Sequence, residues 1–407
     1  MIWIYSIGIS LYSVIIKIAS YFNNKARLFI VGRKNIFEEL KIRVNANDRP
    51  IWFHFASLGE FEQGRPVLEK VKSLYPEVKI LITFFSPSGY EIRKNYPGAD
   101  AVFYLPIDRA RNAKKFVDLV NPRMAIFTKY EFWFHYFKTL HSREIPLYMI
   151  SAIFRPNQIF FKWYGGFNRK ILSFVTHFFV QNDESAQLLK QIDLLNVTVN
   201  GDTRFDRVYE NSLKTPTNEF VARFCSDSPT FIVGSSWPED EKLLPALSEK
   251  YPDWKIIIAP HEVHEKHISD IEILFPNSVK FSVFKNQSSQ TTSKILIIDN
   301  IGMLSSLYQY ASLAYIGGGF GAGIHNTLEA AAFKLPIIFG PKYDKFQEAK
   351  DLIAIDAARS INNSEELIAA FEYFKNNESA AERAASYVKS NKGATEIILE
   401  TVFKTQD

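Results

Sequence analysis

Residues Tyr315 to Glu329 read Tyr-Ile-Gly-Gly-Gly-Phe-Gly-Ala-Gly-Ile-His-Asn-Thr-Leu-Glu, and this stretch indicates how the later half of the chain folds. The apolar run Ser312 to Ile316 predicts a buried strand, and the glycines after it let a backbone or a ligand approach closely. Asn326 is a favourable helix N-cap, and Thr327 to Lys334 has the composition of a helix. A strand, a glycine loop and a capped helix form an anion site, because free N–H groups and the helix dipole both point at the loop.

The spacing of these glycines narrows the choice of ligand. It lacks the Gly-Lys-Ser/Thr of a Walker loop, and it is not the Gly-x-Gly-x-x-Gly of a dinucleotide-binding fold. Glu329, about one turn inside the predicted helix, is placed to accept hydrogen bonds from a ribose. The stretch therefore favours a nucleotide-sugar over ATP or NAD. A tight glycine turn without a ligand remains the alternative on these residues alone.

Working outward, apolar runs alternate with helical patterns from Ile51 onward, which predicts parallel sheets with helices on both faces. The polar stretch from Asp206 to Pro229 contains no strand candidate and separates two such sets. Two Rossmann-like halves facing a cleft are the α/β architecture called GT-B, in which ligands bind at the carboxyl ends of the strands. The predicted strands are Ile51–Ala56, Val78–Phe84, Ala101–Leu105, Arg123–Thr128, Pro146–Ser151, Thr176–Gln181 and Val197–Asn200, then Thr230–Gly234, Lys255–Ala259, Ile295–Ile298, Ser312–Ile316 and Pro336–Phe339.

The N-terminus is almost continuously apolar from Met1 to Phe22, with Lys17 as its only formal charge. It has neither the charged start nor the cleavage site of a signal peptide, but it is long enough to enter a bilayer. Basic residues follow it from Lys25 to Lys34, and such a flank suits the anionic cytoplasmic surface of a membrane. We interpret the segment as a membrane anchor, spanning or interfacial, whose removal should spare activity. The alternative is a buried first helix of a soluble domain.

These patterns predict an anchor at residues 1–22, a first Rossmann-like domain at 23–208, a linker at 209–228 and a second Rossmann-like domain with terminal helices at 229–407. The chain of 407 residues is 47% apolar and 15% aromatic, which excludes wholesale disorder. Its formal charge of +4 is too small to indicate nucleic-acid binding. Cys225 is the single cysteine, so no intrachain disulfide or cysteine-based metal site is expected.

Three charged residues follow predicted strands of the first half. Glu60 comes just after Ile51–Ala56 and faces the cleft, where a carboxylate can act as a general base. The alternative for Glu60 is a helix N-terminal glutamate that complements the dipole. Glu131 occupies the comparable place after Arg123–Thr128. Arg204 follows the last strand and suits a phosphate leaving group, or else pairs with Asp202 or Asp206.

Several other chemistries are not supported. The segment His261 to His267 is not His-Glu-x-x-His, and histidines spaced three and six apart drift round a helix, so zinc is not expected. Pro260 and His261, after Lys255–Ala259, are better interpreted as part of a ligand-binding rim. The chain has no nucleophile elbow, and no strand delivers an Asp-x-Asp pair. We therefore expect no metal.

Together these segments resemble the 3-deoxy-D-manno-octulosonic acid (Kdo) transferase family, membrane-associated GT-B enzymes that add Kdo to the lipid A precursor. The resemblance is collinear over most of the chain. It is carried by Phe55 to Glu60, Thr83 to Gly89, Glu131-Phe132-Trp133, Gly201 to Asp206, Ser235 to Glu241, Pro260-His261, Ile301-Gly302-Met303, Asn326-Thr327-Leu328-Glu329, Gly340-Pro341 and Phe346.

The resemblance implies roles for these residues. The first domain would bind the acceptor, with Glu60 as proton acceptor and Glu131 and Arg204 stabilising the transition state. The second domain would bind the donor, CMP-Kdo, with no cofactor and no metal. The protein would lie at the cytoplasmic face of the inner membrane. The donor-binding residues implied are Pro260, His261, Ile301, Gly302, Met303, Asn326, Thr327, Leu328 and Glu329.

The chain departs from the family pattern at a few of these positions. Arg204 stands for a lysine, His261 for an arginine and Met303 for an acidic residue, while Ser151-Ala152-Ile153 matches an Asn-Ala-Arg segment poorly. These changes affect donor contacts and acceptor choice more than the reaction class. Two alternatives stay open: another GT-B nucleotide-sugar enzyme with a different donor or an epimerase activity, and a noncatalytic membrane-bound protein that has kept the fold.

Overall fold

The computed structural model describes residues 1–226, 228–287 and 291–403. The chain divides into two compact units. The first unit contains Met1–Asp206 and the described residues from Lys392 onward, and the second contains Arg207–Asn391. Residue 227 of the predicted linker, and residues 288–290 and 404–407 of the predicted second domain, lie outside the described ranges.

The first unit is built on a parallel sheet of seven strands in the order β3-β2-β1-β4-β5-β6-β7. Its strands β1 to β5 are fully buried, as expected for a sheet covered by helices on both faces. The strands are β1 (Ile51–Phe55), β2 (Ile80–Phe84), β3 (Ala101–Tyr104), β4 (Met124–Thr128), β5 (Leu147–Ala152), β6 (His177–Val180) and β7 (Val197–Val199).

Helices follow most of these strands and bury one face each. In the helix Ala110–Val120, for example, the buried residues are Ala113, Phe116, Val117 and Val120, which share one helical face. The helices are α1 (Ile2–Ala19), α2 (Asn24–Val31), α3 (Ile36–Arg43), α4 (Leu58–Leu74), α5 (Pro87–Arg93), α6 (Ala110–Val120), α7 (Phe134–Ser142), α8 (Gly166–Leu172), α9 (Asp183–Lys190) and α10 (Thr203–Lys214), which continues into the second unit.

The second unit has its own parallel sheet of seven strands, in the order β10-β11-β9-β8-β12-β13-β14. The strands are β8 (Thr230–Ser236), β9 (Lys255–Pro260), β10 (Val279–Lys280), β11 (Ile295–Ile297), β12 (Leu313–Ile316), β13 (Ile337–Phe339) and β14 (Ala358–Ser360). The helices are α11 (Glu219–Cys225), α12 (Pro238–Glu241), α13 (Leu244–Lys250), α14 (Glu265–Leu274), α15 (Phe281–Phe284), α16 (Leu304–Leu307), α17 (Leu328–Ala332), α18 (Gln347–Ala354), α19 (Ser364–Phe374) and α20 (Glu378–Ser390).

The two sheets confirm the predicted α/β architecture of two Rossmann-like halves. Each of the twelve predicted strands is present with shifts of one or two residues at its ends. The sequence missed β10 and β14, which are the two edge strands of the second sheet. They are two and three residues long, too short to give a hydrophobic pattern.

The last helix corrects the predicted domain boundary. Helix α21 (Ala394–Phe403) belongs to the first unit, not to the second domain as predicted. Its residues Ile398, Leu399 and Val402 are buried in the cluster that contains the apolar side chains of β1. The Asp206 carboxylate fixes the start of this helix by accepting hydrogen bonds from the backbone N–H groups of Gly393 and Thr395 and from the Thr395 hydroxyl.

The predicted linker at 209–228 is also different from expectation. Its described residues are mostly helical, in the second half of α10 and in α11, and they belong to the second unit. Asn218 caps α11 by accepting hydrogen bonds from two backbone N–H groups. The stretch lacks a strand, as predicted, but it is a structured part of the second unit.

The N-terminal helix α1 is long and apolar enough to cross a membrane, and none of its residues is fully buried. The alternative of a buried first helix is therefore wrong. One stripe of α1 nevertheless contacts the first unit. The Tyr5 hydroxyl donates to the Asp108 carboxylate, Ser6 Oγ lies 3.2 Å from His135 Nε2, and the Tyr12 ring stacks on Phe85. The other side exposes apolar side chains, Trp3, Ile4, Ile7, Leu11, Val14 and Ile18 among them.

Asp108 links this helix to the interior. Its carboxylate accepts not only the Tyr5 hydroxyl but also the backbone N–H groups of His135 and Tyr136, which begin α7. Burial raises the pKa of the Asp108 carboxyl to about 6, although the three donors oppose that rise. The expectation that removing α1 leaves the first unit intact is not supported by these contacts.

Candidate functional site

Each sheet has a switch point, which is the place where the order of its strands changes direction. The predicted site residues follow the strands on either side of it. In the first sheet this point lies between β1 and β4, which are followed by Glu60 and Glu131. In the second sheet it lies between β8 and β12, which are followed by Ser235 to Glu241 and by the glycine loop. In open parallel sheets, ligands bind at such points, outside the carboxyl ends of the strands.

Glu60 lies in the first turn of α4, because that helix begins at Leu58. Ser57 is the N-cap, and its hydroxyl donates to Glu60 Oε2. The local structure of Glu60 is therefore that of a helix N-terminal glutamate, the plainer of the two predicted interpretations. A carboxylate at this place still lies at the carboxyl end of β1, so both descriptions apply to the same side chain.

Glu131 is held by two ring nitrogens. Trp133 Nε1 donates to Glu131 Oε2 at 2.8 Å, and His54 Nε2 lies 3.3 Å from the same oxygen. The side chain of His54 is fully buried in β1, whereas 16% of the Glu131 side chain is exposed. His54 was not among the predicted site residues. The sequence pattern that points to it is its position on β1, two residues after Trp52 and therefore on the same face of the strand.

Tyr130 shows which charges gather around this edge. Burial raises the pKa of its hydroxyl, Arg155 lowers it, and the negative charges of Glu60 and Asp202 raise it further. Glu60 and the Asp202 carboxylate therefore act on a residue that adjoins Glu131. Three of the segments predicted for the first domain thus come together at one edge of its sheet.

Arg204 pairs with Asp202, as one of the predicted alternatives proposed. Its Nε lies 2.8 Å from Asp202 Oδ2, and its backbone N–H donates to Asp202 Oδ1. The neighbouring Thr203 hydroxyl donates to the Gln63 carbonyl oxygen in α4, and lies 3.0 Å from the Ser151 hydroxyl at the end of β5. The start of α10 is therefore tied to the helix that carries Glu60.

In the second unit, the glycine loop is shaped by close backbone packing. A Cβ on Gly317 would lie 2.3 Å from the Ser235 carbonyl oxygen, and one on Gly319 would lie 2.6 Å from Gly340 Cα. Gly318 has φ +92°, and its N–H donates to Asp240 Oδ2. Glycine is required at these positions whether or not a ligand binds, so tight packing explains part of the pattern.

The helix after this loop is shorter than predicted. It covers Leu328–Ala332, not Thr327 to Lys334. Its N-cap is Thr327 rather than Asn326. The Asn326 side chain still accepts the N–H of Leu328, and its amide donates to Glu329 Oε1 at 3.1 Å. A five-residue helix has a weak dipole, so the predicted anion site loses part of its support.

Three aromatic rings stack beside the glycine loop. The His261 ring stacks on Trp237, with ring centroids 4.9 Å apart, and on His325, with centroids 4.4 Å apart. Trp237 Nε1 donates to His325 Nε2, so that nitrogen carries no proton. Burial, with a smaller contribution from the charge of His261, lowers the pKa of His325 to about 4. The sequence analysis did not identify Trp237 or His325 as site residues.

The remaining predicted donor residues lie along the same edge. Pro260 ends β9, the Thr327 hydroxyl is buried without a hydrogen-bond partner among the described residues, and Leu328 is buried. Gly302 has φ +94°, Ile301 is 85% exposed, and Met303 Sδ accepts from the Asn300 amide. The group is thus divided between buried residues near the switch point and exposed residues after β11.

The other two histidines of the segment His261 to His267 have hydrogen-bond partners outside the stack of three aromatic rings. His267 is buried, with Nε2 3.0 Å from Glu241 Oε2 and Nδ1 2.8 Å from the Glu262 carbonyl oxygen. His264 caps α14 by accepting the N–H of His267. Within the described ranges, no group of three or more His, Cys, Asp or Glu side chains is arranged to hold a metal ion.

Sequence comparisons show which known proteins this chain is similar to. Residues 32–207 match the family described as 3-Deoxy-D-manno-octulosonic-acid transferase (kdotransferase). The chain is 27% identical over 379 residues to a 3-deoxy-D-manno-octulosonic acid transferase of Rickettsia felis, covering 87% of this chain and 79% of the relative. It is 26% identical over 394 residues to the protein of the same name from Haemophilus influenzae, covering 90% of each.

Solved structures show the fold. A UDP-GlcNAc 2-epimerase from Neisseria meningitidis superposes with a TM-score of 0.63 and 16% identity, covering 87% of this chain and 100% of that one. Two Rossmann-like units with site residues at their switch points define the GT-B class, and this chain is a glycosyltransferase of that class. The matched family and these relatives confirm the resemblance to Kdo transferases seen in the sequence.

Proposed function

We propose that this protein transfers Kdo from CMP-Kdo to a hydroxyl group of the lipid A precursor (lipid IVA), a step of lipopolysaccharide biosynthesis. The observation that carries the proposal is the pair of carboxylates, Glu60 and Glu131, at the switch point of a sheet inside the matched family domain. The family match supports Kdo transfer, and the CMP donor and lipid IVA acceptor are the finer parts of the proposal.

The reaction needs one base and charge stabilisation. Glu60 takes the proton of the acceptor hydroxyl, and the hydroxyl oxygen attacks the anomeric carbon of Kdo from the side opposite the phosphate. The bond from that carbon to the phosphate oxygen breaks, CMP leaves with the electron pair, and the configuration inverts. Glu131 stabilises the positive charge that develops on the sugar, and Arg204 stabilises the departing phosphate.

The surroundings of Glu60 support its role as base. The Ser57 hydroxyl donates to one of its two carboxylate oxygens, which leaves the carboxylate oriented by a neighbour in the same helical turn. The start of a helix also favours the ionised carboxylate, which is the form that accepts a proton. A glutamate that complements a helix dipole is therefore compatible with catalysis.

In the second unit, Glu329 would bind the donor's ribose, and the segment Asn326 to Leu328 would bind its phosphate through backbone N–H groups. His261 stands where the family has an arginine, so its interaction with the phosphate depends on its protonation. No metal or cofactor takes part in the proposed reaction. The donor's charge is balanced by protein groups.

Membrane association is part of the proposal. The exposed apolar side of α1 would contact lipid, and Lys25, Arg27 and Lys34 would interact with anionic headgroups at about 1 kcal/mol each. The proposed location is the cytoplasmic face of the inner membrane, where the lipid acceptor would be available. No nucleic-acid partner is proposed.

The decisive experiment is incubation of the full chain with CMP-Kdo and lipid IVA, with the product detected and its Kdo units counted by mass. Glu60→Gln should slow transfer by about 10² to 10⁴-fold, the usual contribution of a general base. Glu62→Gln is the matched control, because Glu62 lies two residues further along α4 and pairs with Arg65 and Arg93. Near-normal transfer by a folded Glu60→Gln protein would refute the assignment. A wild-type protein without turnover would favour the noncatalytic alternative.

A second experiment tests the donor. CMP should raise the melting temperature more than UMP, UDP or ADP, and EDTA should not reduce that effect. Ligand at a hundredfold excess over Kd stabilises a native protein by about 2.7 kcal/mol. Glu329→Ala should shrink the effect by removing a ribose contact. A preference for UDP, or a need for a divalent ion, would favour a different GT-B nucleotide-sugar enzyme or an epimerase.

A further inference from the structure

The groups that surround Glu131 form a chain of hydrogen bonds that starts inside the sheet. Trp52 Nε1 lies 2.8 Å from Thr83 Oγ1, and His54 Nδ1 lies 2.8 Å from the same oxygen. His54 Nε2 then lies 3.3 Å from Glu131 Oε2. Thr83 is the partner of His54 in the pairing of β1 with β2, so strand register alone brings them together. Trp52, His54 and Thr83 are all fully buried.

The direction of each bond in this chain follows from the chemistry of its members. The indole N–H of Trp52 can only donate, so the Thr83 oxygen accepts from it. An ionised Glu131 can only accept, so His54 Nε2 must carry a proton. In a neutral imidazole the other nitrogen is then bare, and His54 Nδ1 accepts the proton of the Thr83 hydroxyl. All three bonds therefore point toward the Glu131 carboxylate.

The reverse arrangement is poorer. If Glu131 held a proton and donated it to His54 Nε2, then His54 Nδ1 would carry the hydrogen and donate to Thr83. The Thr83 oxygen would accept twice, and its own buried hydroxyl hydrogen would lose the acceptor that the imidazole supplied. Leaving a buried donor without a partner is costly. The arrangement in which all three bonds point toward the Glu131 carboxylate is therefore the better one.

We propose that His54, oriented by Thr83, is a positioning residue that holds the Glu131 carboxylate in place during transfer. Trp133 Nε1, which donates to the same oxygen from the other side, completes the arrangement. This inference rests on the proposed function, because it assumes that the charge of Glu131 stabilises the transition state. It adds three residues, Trp52, Thr83 and His54, to those that determine the rate.

Two substitutions of His54 distinguish a side chain that positions Glu131 from one that only fills space. The amide nitrogen of His54→Gln can reach the place of Nε2 and still donate to Glu131, whereas that of His54→Asn reaches only the place of Nδ1. We expect His54→Asn to lower kcat at least tenfold with little change in KM for donor or acceptor. His54→Gln should restore much of that loss.

The double variant tests whether His54 acts through Glu131. If it does, His54→Asn combined with Glu131→Gln should be no slower than Glu131→Gln alone. If His54→Asn acted only through a packing defect, the fold-losses in kcat of the two single variants would multiply in the double variant. Thr83→Val should also lower kcat with little change in KM, because Thr83 no longer fixes the imidazole tautomer.

A second variant, at a residue outside the sheet, tests the same arrangement without changing the packing of the strands. Trp133→Phe removes the other donor to Glu131 without touching β1 or β2, and it should also lower kcat with KM nearly unchanged. A wild-type rate in His54→Asn, or a loss in the double variant equal to the product of the two single losses, would overturn the inference. The proposed function fails separately, if the wild-type protein does not transfer Kdo at all.

Discussion

The two switch points of this chain are built by different means. In the first unit, the residues predicted for catalysis are positioned by side chains: His54 and Trp133 hold Glu131, Ser57 contacts Glu60, and Asp202 pairs with Arg204. In the second unit, the predicted donor loop is positioned by backbone that packs on backbone, at Gly317 and Gly319. The difference shows that a carboxylate needs neighbours of chosen polarity, whereas a loop that approaches a nucleotide needs space.

This contrast implies different sensitivities to mutation. Conservative polar substitutions should affect the first site through charge and orientation, with folding largely preserved. At the second site, one added methyl group should act through steric overlap, whatever its polarity.

Removing α21 should damage the first unit alone. A chain that ends at Asn391 lacks Ile398, Leu399 and Val402, which are buried against the apolar side chains of β1, and truncating one such residue typically costs about 2–5 kcal/mol. We expect transfer to be lost and the first unit to become sensitive to protease, while the second resists digestion. A chain that ends at Phe403 is the control. Full activity of the shorter chain would show that α21 is not part of the first unit's core.

Gly319→Ala should disrupt the donor loop, because its Cβ would lie 2.6 Å from Gly340 Cα. Overpacking of this kind costs about 1–3 kcal/mol or more. We expect a lower melting temperature and loss of the stabilisation by CMP. Gly321→Ala is the matched control in the same loop, since its Cβ would lie 3.6 Å from the nearest atom, the Gly318 carbonyl oxygen. Equal behaviour of the two variants would contradict the steric account.

Tyr5→Phe should loosen α1 from the first unit. The substitution removes the donor to the buried Asp108 carboxylate, and a hydrogen bond to a charged group is worth about 1.5–3 kcal/mol. We expect a lower melting temperature in detergent and reduced transfer, because Asp108 also fixes the start of α7 directly after Glu131 and Trp133. Tyr21→Phe, at a 77% exposed tyrosine, is the control. An unchanged melting temperature would restore the expectation that α1 is only an anchor.

The smallest effect concerns pH in the second unit. The pKa of His325 falls from 6.5 to about 4 in the folded protein, so folding disfavours its protonation. Its contribution to stability is therefore present above pH 6.5 and is lost as the pH falls through about 4. The groups that face it are the His261 ring and Trp237 Nε1.

We expect His325→Asn to reduce the fall in melting temperature of the second unit between pH 7 and pH 4. The exposed His264, replaced in the same way, should leave that fall unchanged. If both variants kept the wild-type pH dependence, the stack of Trp237, His261 and His325 would not be the acid-sensitive element.

The sequence was sufficient for features that depend on local pattern. Alternating apolar runs gave twelve strands, and position after a strand gave Glu60 and Glu131, because the carboxyl ends of parallel strands share one edge. It was not sufficient for contacts set by register: nothing local says that His54 pairs with Thr83. An amphipathic helix such as α21 likewise does not reveal which sheet will cover it. The glycine loop was ambiguous because packing and ligand approach both require glycine.

The place of α21 has a consequence for synthesis of the protein. The ribosome makes Met1–Asp206 first, but the cluster beneath β1 lacks Ile398 and Val402 until nearly the whole chain has emerged. The contiguous second unit is already fully translated by then and can fold first, although domains generally fold in order from the N-terminus. The part of the chain that is made first is therefore the last to be completed.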